Sequence, residues 1–171
     1  MTTDNLFIPD NIPDSAKMLS SEKYAWLAYL LVVPILAIAY AGIVIRRPYV
    51  VGIAFNKIAF FIGVGLSIVF LVVHELIHAL CCPRDTTVFV YLTSSGIGCV
   101  PACGLKKNRY LLFALMPTIV LGVIPFIIWI CFPGMNVIIS SILFAFSIGS
   151  LSMCVGDIYN AFLAALKMTR R

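Results

Sequence analysis

Residues 58–80 read IAFFIGVGLSIVFLVVHELIHAL, an unbroken apolar run that closes on His74, Glu75 and His78. At 1.5 Å of rise per residue such a run can cross about 30 Å of hydrocarbon as a helix. Polar groups inside it need a reason, because a charged side chain near the centre of a bilayer costs about 2.5–3.5 kcal/mol on insertion scales.

The chain around this stretch is of the same kind. Of 171 residues, 62% are hydrophobic and 11% charged, and the mean hydropathy is +1.07. Soluble domains average about 45–50% apolar and about 25% charged, so a water-soluble core protein is excluded. Besides 58–80, apolar runs long enough to span extend over about Tyr24–Ile45, Tyr110–Phe132 and Val137–Leu166. They stop at Arg46–Arg47–Pro48, Pro133–Gly134 and Lys167, and the second run stops at Cys81–Cys82–Pro83–Arg84. Tyr24, Trp26, Tyr110 and Trp129 near the ends are expected as interfacial anchors. The expected fold is an all-α membrane protein with four transmembrane helices: a polar tail over 1–23, loosely ordered around Pro9 and Pro13, and a single membrane domain over 24–171.

Between the second and third runs the texture changes. Thr86–Leu92 is β-branched and aromatic, Ser94–Ser95–Gly96 is turn chemistry, and Ile97–Val100 is again strand-like. A short β-hairpin or re-entrant loop is expected here. It lies against the membrane face or in the protein's own groove, because its edges are apolar. With four spans, the tail, the hairpin and the C-terminus share one side. That side holds Lys17, Lys23, Arg84, Lys106, Lys107, Arg109, Lys167, Arg170 and Arg171, against Arg46, Arg47 and Lys57 on the other. The bias predicts that both termini are cytoplasmic. The net charge of +5 is read as topology and contact with anionic membrane lipid. No basic, aromatic-interleaved surface supports nucleic-acid binding.

HExxH on a helix sets His74 and His78 about 40° apart around the axis and one turn apart along it. Both imidazoles can then reach one Zn²⁺ at about 2.0–2.1 Å. Glu75 between them can act as general base on an attacking water. The chain contains two histidines, and shuffling its composition produces this motif roughly once in 10⁴ trials, so chance is a poor explanation. A catalytic zinc site needs a third protein ligand. Of the acidic residues Asp4, Asp10, Asp14, Glu22, Glu75, Asp85 and Asp157, only Glu75 and Asp157 fall inside predicted spans. Asp157 is therefore the expected third ligand, and its depth matches that of the histidines to within about one or two turns. The plain alternative is a water-exposed or helix-capping aspartate. Asn160, one turn further on, could hydrogen-bond a ligand and orient it, or sit at the interface. Pro117 should kink the third span.

The six cysteines carry no disulfide expectation. Cys131 and Cys154 read as small core residues. The CC…CxxxC spacing of Cys81, Cys82, Cys99 and Cys103 is not a standard zinc pattern.

HELIHA at the end of one span, a hairpin-like loop and a later span carrying Gly156–Asp157 resemble the site-2 protease type of membrane zinc metalloprotease. More closely, the chain is similar to the compact bacterial domain family described as putative zincin peptidases, over roughly Ile58–Lys167. The resemblance implies a metalloprotease core at 58–167 in a bacterial cell membrane. It implies one Zn²⁺ per chain on His74, His78 and Asp157, with Glu75 catalytic. It also implies a transmembrane peptide or protein substrate held extended along about Thr86–Cys103, with Val88, Val90 and Leu92 in contact. Two features depart from the site-2 pattern: Asp157 is followed by Ile158 where an LDG-type sequence is usual, and there is no PDZ-like insertion. Two other function classes stay open: a non-enzymatic membrane protein with a structural or regulatory metal site, and a proton-relay transporter or sensor built on His74, Glu75 and Asp157.

Overall fold

The structure is a computed structural model that describes residues 29–49, 55–93, 96–102 and 104–167. The polar tail, the start of the first span, the Ser94–Ser95 turn, Cys103 and the last basic residues lie outside the described residues. The chain is mostly helical. Helix α1 covers Val32–Arg46 and runs into a 3-10 turn, Arg47–Tyr49. Helices α2 (Lys57–Val69) and α3 (Leu71–Cys81) follow, then strands β1 (Val88–Thr93) and β2 (Gly96–Pro101). Helix α4 (Lys107–Pro117) passes through a π-helical segment, Thr118–Val123, into α5 (Ile124–Cys131). Helices α6 (Val137–Met153) and α7 (Val155–Lys167) complete the order.

Two helices, Val32–Tyr49 and Lys107–Cys131, are long and apolar enough to cross a membrane unbroken. Two further pairs qualify only as broken units, α2 with α3 bent by 41° and α6 with α7 bent by 48°. The described residues thus offer two to four candidate spans. Large apolar residues are exposed along the helices, among them Val33, Leu36, Ile58, Phe61, Ile138 and Ile139, as a surface facing lipid requires.

Local chemistry explains the boundaries. Asn56 Oδ1 caps α2 by accepting from Ala59 N at 3.0 Å, and Asn136 Oδ1 caps α6 by accepting from Ile138 N at 2.8 Å; both satisfy orphan first-turn donors. Between the caps, α2 and α6 pack very closely. A Cβ at Gly63 would collide with the Ile142 carbonyl, and one at Gly149 with Ser67. Small residues allow this approach in an apolar medium. Just beyond, both helices break, at Phe70 (ψ 0°) and Cys154 (ψ 5°), where regular helix has ψ near −42°. No proline causes either bend. Ser67 Oγ donates to Val64 O at 2.7 Å, one turn before the first break, and such back-bonding bends helices. Phe70 and Phe146 meet edge to face at 5.2 Å, tying the first bend to α6 about two turns before the second break.

Two sequence expectations change. Arg46 was expected to flank the first span and Trp129 to anchor an interface, but they are 3% and 0% exposed. Helix α1 continues through Arg46. Its guanidinium donates to Ser140 Oγ at 2.9 Å, Pro133 O at 2.8 Å and Phe132 O at 3.3 Å, and lies 4.3 Å over the Trp129 ring. Those carbonyls follow the end of α5, where no helical N–H serves them. The guanidinium is the donor that end lacks, and Trp129 closes over it while its own Nε1 donates to Ser140 Oγ at 3.0 Å.

The hairpin forms as expected. β1 and β2 pair antiparallel, with Val88 opposite Pro101 and Thr93 opposite Gly96. β2 packs against α3, so β1 is the outer strand.

Candidate metal centre

Both bends sit about one turn before chemistry. The break at Phe70 precedes His74, and the break at Cys154 precedes Asp157. The result is that α3 and α7 turn toward each other below the tight α2–α6 crossing, while α4 packs against both. His74, Glu75 and His78 are buried in an apolar surrounding. Asp157 is the more open member, with its side chain 25% exposed.

The three residues expected to converge do so. Asp157 Oδ2 lies 2.9 Å from His74 Nε2 and 3.5 Å from His78 Nε2, and the two Nε2 atoms are 3.0 Å apart. The proton positions follow for one ring. His78 Nδ1 is 2.8 Å from Phe113 O; a carbonyl only accepts, so Nδ1 carries the proton and Nε2 presents its lone pair to the cluster. Pro117 makes that carbonyl available. In an α-helix the N–H of residue 117 would bond to the carbonyl of residue 113, and proline has none. The Phe113 ring also stacks on His78, with centroids 4.6 Å apart.

A lone pair, a second imidazole nitrogen and a carboxylate oxygen thus share one small volume, and only a proton or a cation between them makes that favourable. A tetrahedral ion at about 2.0–2.1 Å from its ligands separates them by about 3.3 Å, close to the 2.9, 3.0 and 3.5 Å observed. Two imidazole nitrogens and one carboxylate oxygen are also a donor set suited to a divalent ion of the zinc type. The residues fit.

Glu75 is within electrostatic reach of His74, His78 and Asp157, and on its other side it approaches Cys99 of β2. Burial, with Glu75 and Cys82 nearby, pushes the Cys99 thiol up to about 12. Without a metal ion it stays protonated at neutral pH. Cys81 and Cys82 pack with Phe113 in an apolar cluster that also takes in Val88 and Cys99. Of the hairpin residues expected to meet substrate, Val88 packs inward in this cluster and Val90 is exposed. Leu92 lies on β1. Asn160 Oδ1 is buried with no hydrogen-bond partner among the described residues.

One site neighbour escaped the sequence reading. Cys154, taken as a core residue, is fully buried with its Sγ 3.5 Å from His74 Nδ1. His74, Cys154 and Asp157 each offer a ligand atom within 4.8 Å of the others. The available signal was the i, i+3 spacing to Asp157, which in an apolar helix is weak.

Comparison with known proteins gives one match, to a family model. No curated protein and no solved structure matches the chain. A family model described as "Putative zincin peptidase" matches residues 67–170, a segment that runs from the first helix break through the hairpin to the end of α7 and contains His74, Glu75, His78 and Asp157. The chain belongs to the putative zincin peptidase family.

Proposed function

We propose that the protein is a zinc-dependent intramembrane endopeptidase that hydrolyses peptide bonds of membrane-embedded substrates. The family supports a metallopeptidase in general. The observation that carries the finer reading is the convergence of His74 Nε2, His78 Nε2 and Asp157 Oδ2, from two separate bent helix pairs, within 2.9–3.5 Å of one another. In this reading both bent pairs are single spans, the chain crosses the bilayer four times, and both termini face the cytoplasm.

His74, His78 and Asp157 would hold one Zn²⁺. Zinc in such a position supplies Lewis-acid polarisation of a scissile carbonyl and lowers the pKa of water toward about 7. The protein's own residues do the rest. Phe113 O fixes the His78 tautomer, so that Nε2 and not Nδ1 faces the site. A Glu75 Oε atom takes the proton of the water whose oxygen attacks the carbonyl carbon, then delivers it to the amine nitrogen as the C–N bond breaks. Asp157, the most open of the set, marks the side from which substrate arrives. A transmembrane substrate must unwind first, because its carbonyls are tied up in i→i+4 bonds. The outer strand β1, with Val90 exposed, is suited to hold the unwound segment by strand addition, with Val88 and Leu92 proposed as further contacts. Three protein ligands favour catalysis over a purely structural role, which takes four.

The test is metal analysis of the purified protein beside Asp157→Ala, together with cleavage of a membrane-embedded peptide by wild type and Glu75→Gln. One zinc per chain, lost in Asp157→Ala, with cleavage abolished in metal-replete Glu75→Gln, is expected. A metal-free active transporter would point to a proton relay, and a zinc-loaded protein that cleaves nothing to a structural or regulatory site.

A further inference from the structure

Each imidazole has two ring nitrogens, and what holds the outer one decides where the inner one points. For His78 the partner is the Phe113 carbonyl. For His74 it is a thiol. Building on the metal reading above, we propose that Cys154 is a positioning residue for His74: its sulfur accepts the Nδ1–H bond and directs Nε2 toward His78 and Asp157, without binding the ion itself.

Four observations support this. First, Cys154 Sγ lies 3.5 Å from His74 Nδ1, and Cys154 is 0% exposed, so no water competes for the contact. Second, His74 Nε2 is the nitrogen at 2.9 Å from Asp157 and 3.0 Å from His78. The two nitrogens of an imidazole diverge, so an atom seated at Nδ1 is on the far side of the ring from anything held at Nε2. A rival set of His74 Nδ1, Cys154 Sγ and an Asp157 oxygen would spend His74 Nε2–H as a donor to His78 Nε2, 3.0 Å away, and leave His78 outside the ligand set.

Third, the thiol proton has somewhere to go. Thr118 Oγ1, in a residue 6% exposed, borders the Cys154 thiol and has no other hydrogen-bond partner among the described residues. Packing agrees: Gly122 of the π-helical segment lies against Leu151, and these antiparallel neighbours bring position 118 opposite position 154. A thiol that turns its S–H toward the Thr118 oxygen keeps a sulfur lone pair for Nδ1–H. Fourth, Cys154 is the residue at which α6 gives way to α7, so its side chain is placed by the same bend that delivers Asp157. The stretch from Phe113 to Thr118 then backs both histidines, one by a carbonyl that Pro117 sets free and one through a thiol.

Cobalt replacement of zinc in the detergent-solubilised full chain tests the proposal. Wild-type Co²⁺ protein should show visible d–d bands and no sulfur-to-cobalt charge-transfer band in the near ultraviolet. Cys154→Ala should bind Zn²⁺ about 10–100-fold more weakly, the usual effect of losing such a partner, with altered d–d bands. Cys154→Ser, which keeps an acceptor, should return to within several-fold of wild type. Thr118→Val should weaken binding less than Cys154→Ala. A charge-transfer band in wild type that vanishes in Cys154→Ser would make the thiol a ligand and overturn the proposal. So would equal affinity in wild type and Cys154→Ala, or equal losses in the alanine and serine variants, which would reduce the residue to packing. If the alanine variant does not fold, the wild-type spectrum and Thr118→Val decide. Should His74→Ala bind metal as wild type does, or wild type bind none, it is the metal site itself that fails.

Discussion

Two buried polar clusters sit in this apolar chain, and they are built on opposite principles. Around Arg46 a cation is surrounded by acceptors: Ser140 Oγ, Phe132 O and Pro133 O take its protons, and the Trp129 face lies beneath it. Donors and acceptors roughly match, with Arg46 Nε the one buried guanidinium donor that has no partner among the described residues. Around Asp157 the balance is reversed. A carboxylate oxygen, the His78 Nε2 lone pair and His74 Nε2 crowd together, and the bonds that fix the outer nitrogens only turn the inner ones further inward. Burial is similar in the two places. The difference is that the fold largely satisfies one cluster, and the other is satisfied only by a proton or a metal ion. An excess of converging acceptors in a desolvated place is what separates a site from a clamp.

That contrast can be broken by experiment. The largest effect is expected from Asp157→Ala, which should reduce zinc affinity by more than about 10³-fold, since it removes a ligand outright; equilibrium dialysis against a chelator measures it. Glu75→Gln should retain full zinc content while peptide cleavage falls by about 10²–10⁴-fold, the range of general acid–base catalysis; cleavage at the wild-type rate would sink the assigned role. Arg46→Met should do the reverse of both. It removes the Arg46 donor from Pro133 O, while Trp129 Nε1 still serves Ser140 Oγ and Met135 N still serves Phe132 O, and should cost about 1–3 kcal/mol of stability, read as a lower melting temperature in detergent, with the metal content of the folded fraction unchanged. If Arg46→Met instead loses metal at unchanged stability, the division between clamp and site is wrong. The smallest effect is expected from Pro117→Ala. It restores an N–H that competes for Phe113 O, and zinc affinity should drop by less than about tenfold, visible in competitive titration.

How much of this could be read in advance differs from residue to residue. His74, Glu75 and His78 are legible because helical spacing alone puts them on one face. Asp157 is legible by elimination, as the one other acid inside a predicted span, and its depth could be estimated by counting rises. The hairpin is legible because the hydrophobic period switches from helical to alternating. Arg46 and Trp129 were misjudged for one reason: position near the end of an apolar run indicates an interface only if nothing packs over that end, and here the end of α5 does. The helix breaks at Phe70 and Cys154 left no proline or glycine signal at the break itself. Cys154 was hidden because a buried cysteine looks the same in sequence whether its neighbour is a leucine or an imidazole.

The amino-acid order by itself determined the lipid-like composition, the apolar helices, the hairpin and which side chains were chemically able to meet, because periodicity, turn residues and residue chemistry are local properties. Only the tertiary structure decided that they do meet, through the two bends that lie beyond the close α2–α6 crossing. It also decided which nitrogen of His78 faces inward, since that depends on a carbonyl thirty-five residues away that a proline has left unpaired. Distances and donor–acceptor balance between separate helices are products of packing, and no single segment of the chain contains them.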